Sequence, residues 1–288
     1  MNSKETKKKI AILGTENSHA RIFAKMIAES EDLRLVGAFG TEPQANALFR
    51  ETFGADCSAT SPDAFAGEVD GVLITARNGA THMEYAKPYL TPGATVFVDK
   101  PLCNDPREAT ELIALAKQNG VRLCGGSCLK YAPSLRRMRA AVEKSGATVI
   151  GASFSAPVEI NSAYGGFLFY SPHLAEMALT VFGNRIRSVC AVRNGASVAA
   201  WLRYDGFCVS LFFGCDVYTA SVSFSNRELH SEIGNFPYLF SHEFAVFRNL
   251  IHGKGTADAA EEADRLADHV ILADAVRRAY ESGGEILL

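Results

Sequence analysis

In the stretch "VFVDKPLC" a lysine, Lys100, follows an apolar run directly and precedes Pro101. A lysine at the end of a buried strand and before a proline is held at the rim of the sheet. There it can anchor a substrate hydroxyl, or shift its pKa and handle a proton. The same spacing also fits a solvated lysine in a tight turn. A second stretch, "IAILGTENSHA", runs a short apolar strand into a turn and then a helix. A glycine-rich phosphate turn belongs at this place in a dinucleotide-binding fold, because backbone N–H groups at a helix N-terminus hold phosphate. Aligned on Gly-x-Gly-x-x-Gly, the turn has Gly14 first, Glu16 at the second glycine and His19 at the third. Thr15, Asn17 and Ser18 fill the rest, and Asn17 or Ser18 can cap the helix and present backbone donors. After the second apolar strand, where an acidic ribose ligand is expected, stands Gly40, with Glu42 two residues on.

No metal chemistry is expected. Cys124 and Cys128 lie across "CGGSC", which is not the spacing of a zinc knuckle or a redox pair. His230, Glu232 and His242 are scattered. The seven cysteines are odd in number and irregularly spaced, several of them in strand-like apolar runs. They predict a reduced cytoplasmic protein with buried thiols.

The elements that would position these residues alternate regularly. "KIAIL", "LRLVGAF", "DGVLIT", "ATVFVD" and "VRLCG" are short apolar strands separated by amphipathic helices, one of them opening at Pro106 and stopped by Gly120. This predicts an α/β, Rossmann-like, doubly wound parallel sheet over residues 1–125, with ligands at the carboxyl ends of the strands. From about residue 145 the texture changes to strands joined by tight links, with helices near 172–182, 240–251 and 259–281. Residues 126–288 thus read as an α+β domain for substrate binding and oligomerisation, with an open, mostly antiparallel sheet. Runs such as "FCVSLFF" are apolar on both alternating faces, which predicts a homodimer or homotetramer through that sheet.

Bulk properties set limits. The 288 residues are 48% hydrophobic and 21% charged, with net charge −3. That is ordinary globular composition for about two domains. No basic run extends beyond Lys7 to Lys9, so nucleic acid and anionic membrane surfaces are not expected partners. The polar opening "MNSKETKKK" lacks the apolar core of a signal peptide, and no apolar stretch reaches membrane-spanning length.

The segment from "DGVLITARNGATHMEYAKPYL" through "DKP" to "VRLCGG" resembles the core of the Gfo/Idh/MocA oxidoreductases, the group of glucose-fructose oxidoreductase and inositol dehydrogenase. "LKYAP" resembles the family's Arg-aromatic-x-Pro segment, with Lys130 at the arginine. "GFLFYSPHLAEMALTVFG" resembles its Asp-x-Gly-x-His helix start, and the likeness extends over nearly the whole chain. The resemblance implies hydride transfer between NAD or NADP and a small sugar, polyol or related hydroxy or carbonyl compound. It implies that Lys100 contacts cofactor and substrate, that His173 is the acid/base, that His82 and Arg77 lie near the cofactor, and that Lys130 lines the substrate pocket. Ser171 can cap the helix that carries His173, with Pro172 in its first turn. The family's aspartate four residues before the histidine is Phe169 here, so Tyr164 or Tyr170 would take over its proton handling but not its charge. With Glu16, His19 and Gly40 at family glycine and acid positions, weakened dinucleotide binding is expected. The alternative reading is a non-catalytic ligand-binding or regulatory protein on the same fold.

Overall fold

The computed structural model describes residues 6–144 and 146–288. Part of the polar opening, and the point near Ser145 where the texture changes, lie outside the described residues. The backbone forms two compact units.

The first unit runs to Cys103 and takes in Arg107–Gly126 and Phe240–Leu266. Its elements are β1 (Lys8–Leu13), α1 (Ser18–Ala28), β2 (Leu33–Phe39), α2 (Pro43–Phe53), β3 (Gly71–Ile74), α3 (His82–Ala86), β4 (Thr95–Asp99), α4 (Pro106–Gln118) and β5 (Arg122–Gly126). The strands lie in the order β2-β1-β3-β4-β5, and every pair is parallel. β3 and β4 are buried along their whole length, as continuous apolar runs in a sheet covered on both faces must be. Phe23 of α1 packs edge-on against Phe97 of β4, with ring centroids 5.0 Å apart. Each buried aromatic ring of this kind contributes about 1.5–3 kcal/mol.

The second unit holds Asn104–Pro106, Ser127–Leu239 and Ala267–Leu288. Its elements are α5 (Pro133–Lys144), β6 (Val149–Ala156), α6 (Ser171–Phe182), β7 (Ser188–Asn194), β8 (Ser197–Arg203), β9 (Cys208–Phe213), β10 (Tyr218–Phe224) and β11 (Arg227–Ile233). Then come α7 (Phe236–Ile251) and α8 (Ala257–Asp264), which fall largely or wholly in the first unit, followed by α9 (Asp268–Ser282) and β12 (Ile286–Leu287). The sheet has the order β11-β10-β6-β9-β8-β7-β12, and every pair is antiparallel except β6 with β9.

The carboxyl-terminal helices differ from the sequence reading. A contiguous second domain over 126–288 would carry Phe240–Leu266 with it, but these residues pack on the first sheet. α7 begins at Phe236 rather than 240, because Asn235 at φ 58° turns the chain into it. Phe244 stacks near Phe23, 6.3 Å between centroids. A Cβ at Gly71 would fall 3.0 Å from Phe247 and 2.9 Å from Ile251, so the glycine makes the room that α7 uses. The single helix expected near 259–281 is two helices, α8 and α9, whose apolar faces serve different units.

The outward row of the second sheet is also more varied than expected. On β7, β8 and β9 it carries Val192, Trp201 and Phe212, with Trp201 43% and Phe212 42% exposed. On β6 and β10 it is serine and threonine, with the hydroxyl of Ser155 2.7 Å from that of Thr219. None of the seven cysteines is in a disulfide, and Cys190 and Cys208 are exposed on this sheet, against the expectation of buried thiols. Among the described residues no helix is long and apolar enough to cross a membrane, and no group of three His, Cys, Asp or Glu side chains could hold a metal ion.

Candidate active site

The turn after β1 is built on one glycine for a steric reason. Gly14 has φ 108°, and a Cβ there would lie 2.2 Å from the Ala76 nitrogen. Only glycine lets the backbone past β3 approach this closely. Asn17 caps α1, its Oδ1 accepting from the His19 amide at 3.2 Å, while its Nδ2 donates to the Thr75 carbonyl at 2.9 Å. The Thr75 hydroxyl donates to the carbonyls of Leu13 and Gly14, both at 3.2 Å. Ser18, the first residue of α1, is exposed.

Glu16, at the second-glycine position, is drawn to one side. Its Oε1 accepts from the Arg77 amide at 3.2 Å, and the Arg77 guanidinium donates to the Glu16 carbonyl. Arg77 thus holds Glu16 to one side through its amide and guanidinium, while Glu16 Oε2 is buried without a hydrogen-bond partner among the described residues. His19, at the third-glycine position, sets Nδ1 2.6 Å from Oδ2 of Asp99. Its ring also packs edge-on against Phe240, 4.7 Å between centroids. Asp99 accepts in addition from the Lys100 amide at 2.7 Å and from Asn17 at 3.4 Å.

The position of the expected ribose carboxylate is full. A Cβ at Gly40 would lie 2.0 Å from the Thr15 hydroxyl and 2.7 Å from Asn46 Oδ1. Thr15 donates to Asn46 Oδ1 at 2.5 Å, and Asn46 Nδ2 donates to the Gly40 carbonyl at 2.8 Å. Glu42 precedes α2 without capping it and is exposed. His82 is fully buried, with Nε2 2.8 Å from the Ala76 carbonyl and Nδ1 2.8 Å from the Pro101 carbonyl. Burial pushes its pKa down, opposed by these carbonyls and by Asp99. With both nitrogens engaged it clamps two loops of the rim. Lys100 is buried.

In the second unit, His173 lies in the first turn of α6 and is buried. Ser171 does not cap this helix. The preceding 3-10 turn, Gly166–Phe169, brings Tyr170 in with helical φ and ψ, so α6 starts at Ser171 itself, whose hydroxyl is buried without a partner among the described residues. The His173 ring lies 5.9 Å from both Tyr170 and Tyr218. Burial pushes the Tyr218 phenol well up from its ordinary pKa. Phe169, at the family's carboxylate position, lies in an aromatic row, 5.4 Å from Tyr164 and 4.9 Å from Tyr170. Lys130 is buried, with Nζ 5.4 Å from the Tyr131 ring centroid. Three further residues escape the sequence reading: Asn46, Asp99 and Ser127. Ser127 follows β5, is fully buried, and places its hydroxyl 2.7 Å from His173 Nδ1. An acid ending an otherwise apolar strand and a hydroxyl after paired glycines were the available signals.

Comparisons with known proteins agree with this geometry. Residues 8–127 match the model of an oxidoreductase family with an NAD-binding Rossmann fold. The scyllo-inositol 2-dehydrogenase (NADP(+)) IolU of Bacillus subtilis is 26% identical over 140 residues, 48% of this chain and 42% of that protein. The chain spans less than half the length of the curated relatives it matches. The crystal structure of GenD2 from gentamicin A biosynthesis in complex with NAD superposes with TM-score 0.85 at 16% identity, covering 100% of this chain and 98% of that one. The scyllo-inositol dehydrogenase of Lactobacillus casei, solved with NAD(H) and scyllo-inositol, gives 0.80 at 18% identity over 98% and 99%. At these identities the structures establish a shared fold.

Asp99 yields a test with a definite sign. Burial alone would push its pKa up, but the charges and hydrogen bonds of His19 and Lys100 outweigh burial and hold the carboxyl below the usual aspartate range. An acid whose pKa is depressed by folding stabilises the fold above its unfolded pKa, near ~3.9, and loses that contribution as pH falls through the lower folded value. Asp99→Asn is therefore expected to cost about 1.5–3 kcal/mol at pH ~6, with the difference from the native chain shrinking below pH ~4. Denaturant unfolding across pH measures it, and a gap independent of pH would contradict the assignment.

Proposed function

We propose, from the match of residues 8–127 to the Gfo/Idh/MocA oxidoreductase family model, that the chain is an NAD(P)-dependent oxidoreductase of a small sugar, polyol or related hydroxy or carbonyl compound. The observation that carries this reading is the turn after β1. Its glycine is wedged against Ala76, its helix is capped by Asn17, and its intrusive glutamate is tied back by Arg77. These residues fit a dinucleotide, since the turn offers backbone amides at a helix N-terminus and a nearby guanidinium for phosphate. When bound, the nicotinamide supplies or accepts the hydride. Gly14 to Ser18 hold the phosphates and Arg77 faces them. In this reading Lys100 serves cofactor and substrate, and His173 is the acid/base. Lys130 and Tyr164 line the substrate side, with Tyr170 beside His173. The filled slot at Gly40 removes the usual ribose ligand, which accounts for an expected weak affinity and leaves NAD and NADP both open. A second reading, a ligand-binding or regulatory protein that no longer turns over, is favoured by Phe169 standing in an aromatic row where a carboxylate belongs. Dinucleotide binding without turnover on any polyol or sugar would support it.

The proposal extends to assembly and location. The outward row of β7, β8 and β9 exposes Val192, Trp201 and Phe212, and in this reading that apolar row meets a second copy of the chain. A homodimer or homotetramer working in the cytoplasm is the arrangement we favour, with no nucleic-acid or membrane partner.

Fluorescence titration with NADH and NADPH tests the cofactor assignment. Saturable binding is expected for the native chain, weakened about tenfold or more in Arg77→Ala, because the variant loses a guanidinium that can contact phosphate. Equal affinity in the variant, or no binding by the native chain at millimolar dinucleotide, would sink the assignment. Light scattering tests the assembly. A mass of at least twice the 31.0 kDa chain is expected at micromolar protein, falling toward one chain in Trp201→Glu, and a monomeric native protein would contradict it.

A further inference from the structure

Helix α5 starts without the groups that usually close a helix N-terminus. Pro133 opens it, which suits a position that needs no N–H. The residue before it is Ala132, extended in φ and ψ, whose methyl group cannot cap the amides that follow. The Ala132 carbonyl accepts from the Arg136 amide at 3.1 Å, the first bond of the helix. The amides of Ser134 and Leu135 have no acceptor among the described residues. No acid stands in the first turn, and Arg136 and Arg137 follow directly. Cations near a helix N-terminus oppose its dipole, so this start is unfavourable on its own. Arg136 turns away over the Tyr131 ring, 5.3 Å from its centroid. Arg139 pairs with Glu143, but Arg137 has no acidic partner among the described residues.

Ser134 is only 9% exposed, yet its hydroxyl also has no partner among the described residues. The surface it keeps lies on a cavity of about 560 Å³. Arg137, three residues on and on the same helix face, lines that cavity too. So does the start of α7 at Asn235, which brings a second positive dipole end. The one acid of the lining, Glu232, alternates onto the outward row of the sheet, paired with Thr219. Buried Ile233 and Leu239 give the cavity an apolar wall.

We propose that the start of α5 binds a phosphate monoester with a small organic body. The phosphoryl oxygens accept from the Ser134 hydroxyl and from the Ser134 and Leu135 amides, and the Arg137 guanidinium pairs with them. The organic part lies along Ile233 and Leu239. An anion here supplies the acceptors and the negative charge that the first turn lacks. The cavity falls in the range of small-molecule pockets, about 300–1,000 Å³, and a bare phosphate would leave its apolar wall uncovered, which favours the ester. All of these residues belong to the second unit, none of them is assigned above to the cofactor or the reacting compound, and the proposal is independent of the oxidoreductase reading.

The test is amide NMR of the full nitrogen-15-labelled chain, titrated with inorganic phosphate and with phenyl phosphate. Both probes are expected to saturate and to shift the Ser134 and Leu135 amides. Phenyl phosphate is expected to bind about tenfold tighter, through the apolar wall. Arg137→Gln is expected to weaken both probes about tenfold. Ser134→Asp brings a carboxylate to the same amides. It is expected to abolish binding while Tm stays at or above the native value, so that a lost response is not a lost fold. Silent amides at about 50 mM of either probe, shifts confined to residues 15–18, or undiminished binding by Ser134→Asp overturn the proposal. Equal affinity for the two probes overturns the ester assignment.

Discussion

The first unit depends on one buried carboxylate. Asp99 ends β4 with its side chain almost out of solvent, and an ion in that position persists only when it is paired and hydrogen-bonded. Its three partners come from two places. His19 and Asn17 belong to the start of α1, and the Lys100 amide belongs to the chain leaving the strand. The pair thus ties the beginning of the first helix to the end of the fourth strand, the two features that define the rim of a parallel sheet. Phe240 closes over the imidazole from α7, which explains why that helix packs on the first sheet although it follows the second in sequence.

Around that pair, each departure from a glycine-rich phosphate turn has a local compensation. The glutamate at the second glycine is bonded to Arg77, the histidine at the third is paired with Asp99, and the missing ribose acid is replaced by a Thr15–Asn46 bond that only glycine at position 40 accommodates. One oxygen, Glu16 Oε2, remains buried without a hydrogen-bond partner among the described residues. The turn keeps its helix N-terminus and carries a different set of contacts around it. In the second unit the hydroxyl of Ser127, the residue after β5, lies 2.7 Å from His173 Nδ1.

Much of this was legible in the sequence. Strands buried on both faces read as continuous apolar runs, so the parallel sheet followed from β1, β3 and β4. Gly14 was legible because a turn between a strand and a helix needs φ > 0 there. The pairs that matter most were not. His19 and Asp99 are 80 residues apart and meet only through the sheet order, while Ser127 and His173, 46 apart, meet only where α6 packs against the turn after β5. His82 read as a cofactor contact because it opens a helix at the rim, but its depth was set by the Ala76 and Pro101 carbonyls on either side. The break between α8 and α9 was hidden because both segments carry a helical pattern, and nothing local shows that their apolar faces belong to different units.

The central claim is that the remodelled turn still holds a dinucleotide. A crystal structure of the chain grown with NAD+ addresses it most directly. The account predicts pyrophosphate oxygens within about 3 Å of backbone amides between Thr15 and Ser18, with the Glu16–Arg77 contact preserved or shifted only toward the phosphates. A dinucleotide bound elsewhere, or a turn whose amides are shielded by the protein's own side chains in the presence of millimolar NAD+, would contradict it.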